Sequence, residues 1–216
     1  MGINNSYAVF GLGKYGTAVA KELVNNGADV LAVDINENIV NSASVDIPYC
    51  KCADITNMDV IKQLGIANMD TVIIAMADNL EASVMAVMLC KEVGVKTVIA
   101  KSSTKMHEAI LSRVGADQVV FPESESGRRL AKNLLSSGFV DVIELSNEVS
   151  LVDIDVKPEW VGKTLIELNL RKKYAMNVIA IKKGDSLQTN VDPTEHLDKS
   201  MKLVVIINTS KLAKLK

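Results

Sequence analysis

Short apolar runs alternate with helical segments along the first two thirds of the chain. The strands are predicted at 7–10, 30–33, 47–50, 72–75, 97–100 and 118–121, and the helices at 15–25, 37–44, 58–64, 80–92, 103–113 and 123–136. Strands that alternate with helices of this length are typical of a parallel sheet with helices on both faces. The sequence therefore predicts an α/β, Rossmann-like, doubly wound parallel sheet.

The pattern changes after residue 137. Strands are then predicted at 139–145, 151–156, 177–181 and 203–207, with one helix at 165–174. Strands with a segregated helix are typical of a small α+β unit. Charge divides as well, because residues 1–145 carry 12 basic and 17 acidic groups while residues 146–216 carry 12 and 9. We therefore predict a first domain at 1–137 and a second, smaller α+β domain at 138–216.

Composition excludes several classes of protein. The 24 Lys and Arg residues nearly balance the 26 Asp and Glu residues, which argues against a nucleic-acid-binding protein. The longest apolar stretches are far shorter than the ~18 residues of a membrane span. The amino-terminal segment lacks a basic region, so we expect no secretory signal. Three cysteines and two histidines, without ligand spacing, favour reduced thiols and disfavour a histidine-based metal site.

The strongest local signal is a G-x-G-x-x-G motif between the first predicted strand and helix. It consists of Gly11, Leu12, Gly13, Lys14, Tyr15 and Gly16. The first glycine allows a tight turn, the second lets the backbone approach a pyrophosphate, and the third allows close packing of helix on strand. The helix directs free amide groups and its positive dipole end toward that phosphate. We therefore predict nucleotide binding at this loop.

An acidic residue at the end of the second strand strengthens this prediction. Asp34 follows Gly16 by eighteen residues, where a carboxylate can accept hydrogen bonds from both ribose hydroxyls. A carboxylate there disfavours a 2′-phosphate. The alternative is a structural one, since Asp34 and Glu37 also match a capping box for the next helix.

Further candidates lie after later strands, where open α/β sheets bind their ligands. Asp54 and Asp78 could contact ribose or base edges, although both also suit N-terminal capping of the following helices. Lys101 ends the fifth strand and could face phosphate, or could be a solvated end residue. Three neighbours of these acids complete the predicted cofactor-binding set: Ile35, Ile55 and Ala77.

Four segments together resemble one known family. They are YAVFGLGKYGTAVAKELVNNGADVLAVDINENIV, CADITNMDVIKQLGI, VIIAMADNLEAS and GADQVVFPES, and the carboxyl-terminal stretch VGKTLIELNLRKKYAMNVIAIKKGD extends the match. The chain resembles the regulator of K⁺ conductance (RCK) family, most closely its KtrA/TrkA-type cytoplasmic subunits of bacterial potassium uptake systems. The resemblance covers nearly the whole chain, in the right order.

The resemblance implies a regulatory role. In this family the first domain binds ATP, ADP or NAD(H) at the glycine loop. Subunits pair as dimers and assemble into a ring, commonly an octamer, beneath a membrane-embedded potassium channel subunit. Nucleotide exchange then gates ion flux. The resemblance thus implies a cytoplasmic homo-oligomer, peripheral to the inner face of the cell membrane, with no nucleic-acid partner and no enzyme activity.

The resemblance also assigns roles to individual residues. Gly11, Gly13 and Gly16 would hold the phosphates, Asp34 the ribose, and Asp54 and Asp78 the surrounding pocket. Lys14 stands where the KtrA type often has an Arg, and it supplies charge without the bidentate fork.

Glu123 matches a family carboxylate that can help to hold a divalent cation, Mg²⁺ or Ca²⁺, near the γ-phosphate. Glu125 is an alternative ligand. The structural alternative is that Pro122 and Glu123 simply open a helix.

The second domain of Ktr-type relatives can bind cyclic di-AMP. The matching positions are Arg171 and Asn177 for phosphate, with Val178 and Ile179 as an apolar wall for adenine. Ordinary packing of a helix with a solvated basic face is the alternative.

A second class of function uses the same motif. A NAD(H)-dependent oxidoreductase or redox sensor would also need the glycine loop and Asp34. The remaining ~70 residues are too few for a typical substrate domain, and neither His107 nor His196 lies near the loop in the sequence. The regulatory subunit is therefore the favoured interpretation.

Overall fold

The computed structural model describes residues 5–135, 139–146, 148–208 and 210. Contacts divide the chain into two compact units, Met1–Glu123 and Ser124–Lys216. The boundary predicted at residue 137 lies outside the described residues. Of the helices in the described ranges, none combines the length and apolar composition needed to cross a bilayer.

The first unit alternates strands and helices as predicted. Its strands are β1 (Ser6–Phe10), β2 (Asp29–Asp34), β3 (Tyr49–Cys52), β4 (Thr71–Ile74), β5 (Thr97–Lys101) and β6 (Gln118–Val120). Its helices are α1 (Lys14–Asn25), α2 (Glu37–Ala43), α3 (Met58–Gln63), α4 (Leu80–Glu92) and α5 (Lys105–Arg113), and α6 (Pro122–Leu135) continues into the second unit.

All six strands run parallel in the order β3-β2-β1-β4-β5-β6. This order has its topological switch point between β1 and β4, where such sheets bind ligands outside the carboxyl ends of the strands. Two apolar clusters fill the unit, one around Phe10 and Ile74 and one around Val9 and Ile47. Since successive strand residues point to opposite faces, Val9 and Phe10 serve different layers. The doubly wound prediction is confirmed.

The second unit contains an antiparallel sheet. Its strands are β7 (Phe139–Glu144), β8 (Val149–Asp155), β9 (Asn177–Lys183), β10 (Ser186–Gln188) and β11 (Met201–Asn208), in the order β10-β9-β11-β8-β7. Its remaining helices are α7 (Leu165–Leu168) and α8 (Leu170–Tyr174). One core of buried side chains includes Trp160, Leu168 and Leu203. The predicted α+β class is confirmed.

Two predicted elements differ clearly from the structure, and one observed strand has no predicted counterpart. β3 begins at Tyr49 rather than 47, because Pro48 has no amide to donate and pairing with β2 begins at Leu31 opposite Tyr49. The predicted helix 165–174 is broken at Asn169, which adopts φ 47°. Strand β10 was not predicted, although the turn at Gly184 that precedes it is a recognisable hairpin signal.

Candidate functional site

The glycine loop joins β1 to α1 at the switch point. Gly11 adopts φ 87°, and its N–H donates to the Val33 carbonyl at 2.8 Å. A Cβ on Gly16 would lie 1.9 Å from the Gly11 carbonyl oxygen, whereas a Cβ on Gly13 would meet nothing within 4 Å. Gly16 therefore allows close packing of the loop, and Gly13 leaves open space beside the backbone.

The amino terminus of α1 differs from those of the next four helices. Gly13 is its N-cap and provides no side-chain acceptor, and its first turn has no acidic residue. By contrast, α2, α3, α4 and α5 are capped by side chains that accept first-turn amides: Asn36, Asn57, Asn79 and Thr104. The start of α1 thus lacks a side-chain cap, and its positive dipole end suits an anion.

Asp34 ends β2 and is a structural part of the loop. Its Oδ2 accepts the Leu12 N–H at 2.7 Å, and its Oδ1 accepts the Asn36 N–H at 2.8 Å. The capping alternative is wrong, because Asn36 caps α2 instead. Each carboxylate oxygen has capacity for a second hydrogen bond.

Asp54 and Asp78 are not helix caps either. Asparagines hold both cap positions, Asn57 for α3 and Asn79 for α4. Asp54 accepts the Thr56 hydroxyl at 2.7 Å and its N–H at 2.9 Å, and these bonds hold the pKa of the carboxyl below its usual range. Asp78 is exposed and makes no hydrogen bond with another described residue.

A cleft of about 380 Å³ brings part of the predicted set together. Six predicted residues line it: Gly11, Asp34, Ile35, Asp54, Ile55 and Asp78. The sequence analysis did not select six others: Val33, Ala53, Thr56, Met76, Asn79 and Ala82. Val33, Ala53, Thr56 and Met76 lie at or just beyond the carboxyl ends of β2, β3 and β4, where the predicted strand ends were the available signal. Asn79 and Ala82 lie at the start of α4.

The remaining loop residues lie beside this cleft rather than in its lining. Leu12 is buried, and its side chain joins an apolar cluster. Gly13 and Lys14 are exposed at the start of α1, and Lys14 has no ion pair with another described residue. Ala77 accepts the Ser103 hydroxyl at 3.4 Å through its carbonyl oxygen.

A separate group of side chains connects β5, α1 and α6. Lys101 Nζ lies 2.6 Å from Glu123 Oε1 and 5.6 Å from the centre of the Tyr15 ring. The Lys101 side chain is 15% exposed and that of Glu123 is 68% exposed. The hydrogen bond from Lys101 holds the pKa of Glu123 below its usual range. Lys101 is therefore a largely covered, paired cation whose ammonium lies over an aromatic ring of the first turn of α1.

The same geometry bears on the predicted divalent cation. Among the described residues, no three His, Cys, Asp or Glu side chains come together as a metal-binding group. The Glu123 carboxylate instead faces an ammonium. Since like charges repel, these residues alone do not fit a divalent cation site.

Three of the four positions predicted for cyclic di-AMP lie together in the second unit. A cavity of about 550 Å³ is lined by Arg171, Asn177 and Val178, together with Leu165, Ile166, Asn169, Leu170, Lys172 and Met176. Ile179 does not line it. The cavity combines an exposed arginine with an apolar floor.

The sequence matches two domain families and several curated proteins. The TrkA-N domain matches residues 7–122 and the TrkA-C domain matches residues 149–216. The chain is 37% identical to Ktr system potassium uptake protein C of Bacillus subtilis (strain 168), over 94% of this chain and 92% of that protein. It is 33% identical to Ktr system potassium uptake protein A of Vibrio alginolyticus, over 97% and 96%.

Solved structures share the fold. The GsuK channel superposes with a TM-score of 0.70 at 18% identity, over 98% of this chain and 39% of that one. The Shewanella denitrificans Kef CTD in AMP-bound form gives a TM-score of 0.53 at 18% identity, over 62% and 81%. The chain thus spans about two fifths of the channel but nearly the full length of the Ktr proteins. With both domains matched and this identity to the Ktr proteins, the chain belongs to the RCK family of KtrA/TrkA-type potassium uptake proteins.

Proposed function

We propose that this chain is the regulatory nucleotide-binding subunit of a potassium uptake system. One observation carries the proposal: the uncapped start of α1 and the carboxylates of Asp34, Asp54 and Asp78 lie around the switch point of one sheet. The helix start suits phosphate, and carboxylates suit the hydroxyl and amino groups of a nucleoside. An ATP, ADP or NAD(H) ligand carries both groups, with phosphate for the helix start and a nucleoside for the carboxylates.

The side chains define how the nucleotide would lie. Its phosphates would contact the amides at Gly13 and Lys14, and Lys14 would add positive charge. Its ribose would donate to Asp34, whose oxygens are oriented by the Leu12 and Asn36 amides. Ile35 and Met76 provide apolar surface for the base.

The oligomer and the membrane partner are part of the proposal. The relatives are named as components of potassium uptake systems, which supports a membrane-embedded potassium channel subunit as partner. The chain would act from the cytoplasm, as dimers assembled into a ring of eight subunits. Nucleotides that differ in affinity for two ring states would shift the ring between them.

Catalysis is not part of the proposed role. Both histidines lie outside the cleft lining. His107 is buried with Nε2 2.8 Å from Ser83 Oγ, and burial lowers its pKa. His196 belongs to the second unit. The alternative, a NAD(H)-dependent oxidoreductase or redox sensor, rests on Asp34 and the glycine loop alone.

Cyclic di-AMP is proposed as a second ligand, in the cavity of the second unit. Arg171 and Lys172 bring positive charge to its lining, and Met176 and Val178 bring apolar surface. Phosphate would pair with Arg171 through its guanidinium fork. A divalent cation, Mg²⁺ or Ca²⁺, at Glu123 stays a prediction from the resemblance, and Lys101 counts against it.

Isothermal titration of the full chain tests these proposals. ATP, ADP, NADH and cyclic di-AMP would each be added with and without Mg²⁺ or Ca²⁺, to wild type, Asp34→Ala and Arg171→Ala. We expect Asp34→Ala to lose binding of ATP, ADP and NADH while keeping cyclic di-AMP, and Arg171→Ala to lose only cyclic di-AMP. Binding of NADH alone would favour the redox alternative, and binding of none of the four would refute the proposed function.

A further inference from the structure

The helix that carries Arg171 is bounded at both ends by left-handed backbone. Among the described residues, the two non-glycine residues with positive φ are Asn169, at 47°, and Ala175, at 54°. Asn169 directly precedes α8, and Ala175 directly follows it. Every other positive-φ position in the described part of the chain holds a glycine, which adopts this region without a steric penalty. Asparagine tolerates the region better than most residues, but alanine is strained there.

The break at Asn169 brings two neighbouring leucines into one core. Leu168 and Leu170 are 4% and 3% exposed and belong to the same apolar cluster. Side chains two residues apart on a continuous helix point about 200° apart, so only one of the two could face that core. The left-handed residue between them lets both enter it. The Asn169 N–H donates to the Leu165 carbonyl at 3.1 Å, and its carbonyl accepts the Lys172 N–H at 3.1 Å, so its backbone serves both helices.

Ala175 has the same place at the other end of α8. Tyr174 before it packs against Trp160, with 6.1 Å between the ring centres, and Met176 after it is 1% exposed. Ala175 itself is exposed, so the chain on either side sets its conformation rather than packing of its methyl group. The turn returns the chain to the core at Met176, and β9 begins at Asn177.

The polar residues that follow these two turns line one cavity. Arg171 and Lys172 lie on α8 and Asn177 lies just after the second turn, and all three line the cavity of about 550 Å³ in the second unit. On a helix that ran unbroken over 165–174, burial of Leu168 would rotate Leu170 out of the core and move Arg171 with it. The direction of Arg171 therefore depends on the two left-handed residues.

We propose that Asn169 and Ala175 are positioning residues for this cavity: their left-handed backbone fixes the direction of α8, so that the Arg171 guanidinium meets a phosphate of a cyclic dinucleotide with both arms of its fork. This inference rests on the proposed function and adds the residues that preform the second ligand site. A guanidinium fork needs a defined direction to bind phosphate through two parallel hydrogen bonds, whereas a lysine ammonium is a point charge on a flexible stem. The backbone at Asn169 therefore matters more for an arginine at position 171 than for a lysine.

Isothermal titration of the full chain with cyclic di-AMP tests this role. Asn169→Gly keeps the left-handed backbone available, so its dissociation constant should stay within about twofold of wild type. Asn169→Val must move the backbone, because β-branched residues do not tolerate positive φ, and it should bind at least about tenfold more weakly. If this variant does not fold, Asn169→Ala replaces it, with a smaller loss of affinity in the same direction.

Gly184→Val is the matched control. It places the same side chain at a left-handed position of the same unit, with φ 57°, outside the lining of the cavity. It should lower the urea midpoint of unfolding and keep wild-type affinity. Ala175→Gly should raise the urea midpoint with unchanged affinity, because it removes the strained side chain. A loss of affinity in Gly184→Val would overturn the inference, since strain outside the site would then have the same effect.

A double-mutant cycle separates positioning of Arg171 from a purely structural role. Arg171→Lys should weaken binding, and Asn169→Ala should weaken it by a smaller factor in the lysine background than in the arginine background. Equal factors in the two backgrounds would overturn the inference. Loss of binding in Asn169→Gly would also overturn it, because the asparagine side chain would then contact the ligand directly.

The same titrations distinguish failure of this inference from failure of the proposed function. If wild type binds cyclic di-AMP and the alanine and valine variants of Asn169 bind it equally well, the inference fails and the proposed second ligand stands. If wild type does not bind cyclic di-AMP, both fail.

Discussion

The two ends of the parallel sheet use their aspartates differently. At the amino-terminal edge, Asp70 and Asp117 each bind a neighbouring strand. Asp70 Oδ2 accepts the Ser6 N–H at 3.1 Å, and Asp117 Oδ2 accepts the Val98 N–H at 2.6 Å. A lysine also pairs with each, at 3.2 Å and 3.0 Å. These carboxylates fix strand register.

At the carboxyl edge the aspartates make fewer hydrogen bonds, or make them only with residues close in the sequence. Asp54 binds only Thr56, two residues away, and Asp78 contacts no hydrogen-bond partner in the described residues. Asp34 accepts two amides but also lines the cleft. Asparagines take over the capping there. The difference indicates that one edge is built for stability and the other keeps polar capacity for a ligand.

The largest effect is expected from Gly16→Ala, which breaks the carboxyl edge itself. The new Cβ would meet the Gly11 carbonyl oxygen at 1.9 Å and Ala75 Cβ at 2.9 Å. Because the backbone of the glycine loop must move to relieve this contact, we expect the free energy of unfolding of the first unit to fall by about 3 kcal/mol. Urea unfolding followed by circular dichroism measures it.

Two controls accompany this variant. Gly13→Ala should keep wild-type stability, since its Cβ would meet nothing within 4 Å, yet should weaken nucleotide binding by occupying the space for phosphate. Fluorescence of Trp160, the chain's single tryptophan, reports the second unit and should not change. Equal urea midpoints for Gly16→Ala and Gly13→Ala would contradict the role given to Gly16.

Asp117→Ala should lower stability without affecting ligand binding. It removes the acceptor of the Val98 amide, a loss of about 1–2 kcal/mol in the free energy of unfolding. The Lys91 pair adds little, because the Asp117 side chain is 42% exposed. Urea unfolding and nucleotide titration on the same sample check both statements. A weakened nucleotide affinity would show that the two edges are not independent.

Much of the fold followed from the sequence because the alternation of strands and helices is regular. The order of the six strands, the loop at Gly11 to Gly16 and the acid at Asp34 all belong to one known pattern. The second unit was harder, because Asn169 breaks a continuous helical pattern and β10 is only three residues long. Short elements are decided by tertiary packing more than by local pattern.

The position of the site could be predicted from the sequence, but the hydrogen-bond and ion-pair partners of its residues could not. Strand ends located Asp54 and Asp78, but the sequence left capping open because Asp and Asn are similarly good N-caps. The structure shows that Asn57 and Asn79 hold those positions. The Lys101–Glu123 pair joins residues 22 positions apart in the sequence, and no local pattern encodes it.

Asp78→Asn should sharpen the comparison by changing binding and not stability. Since Asp78 makes no hydrogen bond within the described residues, we expect the free energy of unfolding to stay within about 0.5 kcal/mol of wild type. Loss of one carboxylate acceptor for the ligand should weaken nucleotide binding by about 1 kcal/mol. Titration and urea unfolding measure the two quantities, and a destabilised variant would place Asp78 with the structural acids.

The smallest effect is expected in the acid dependence of stability. Burial raises the pKa of Asp117, but the Val98 amide and Lys91 outweigh it, so the pKa lies below 3.8. Because the pKa of Asp117 is lower in the folded chain than the ordinary value of 3.8, its carboxylate stabilises the folded state fully above pH 3.8. This stabilisation is lost as pH falls through the pKa of Asp117 in the folded state. The stability gap between wild type and Asp117→Asn should therefore narrow in that acidic range, by less than about 1 kcal/mol because the pair is exposed.

Asp54→Asn is the matched carboxyl-edge variant for this acid titration. The pKa of Asp54 is also lowered, but by Thr56, two residues away. A contact this local can persist in the unfolded chain, so it contributes less to the difference between the two states. We expect the gap between wild type and Asp54→Asn to vary less with pH than the gap for Asp117→Asn. If urea unfolding shows that the stability difference from wild type narrows equally for both variants at acidic pH, the carboxyl and amino edges do not differ in the acid sensitivity of their aspartates.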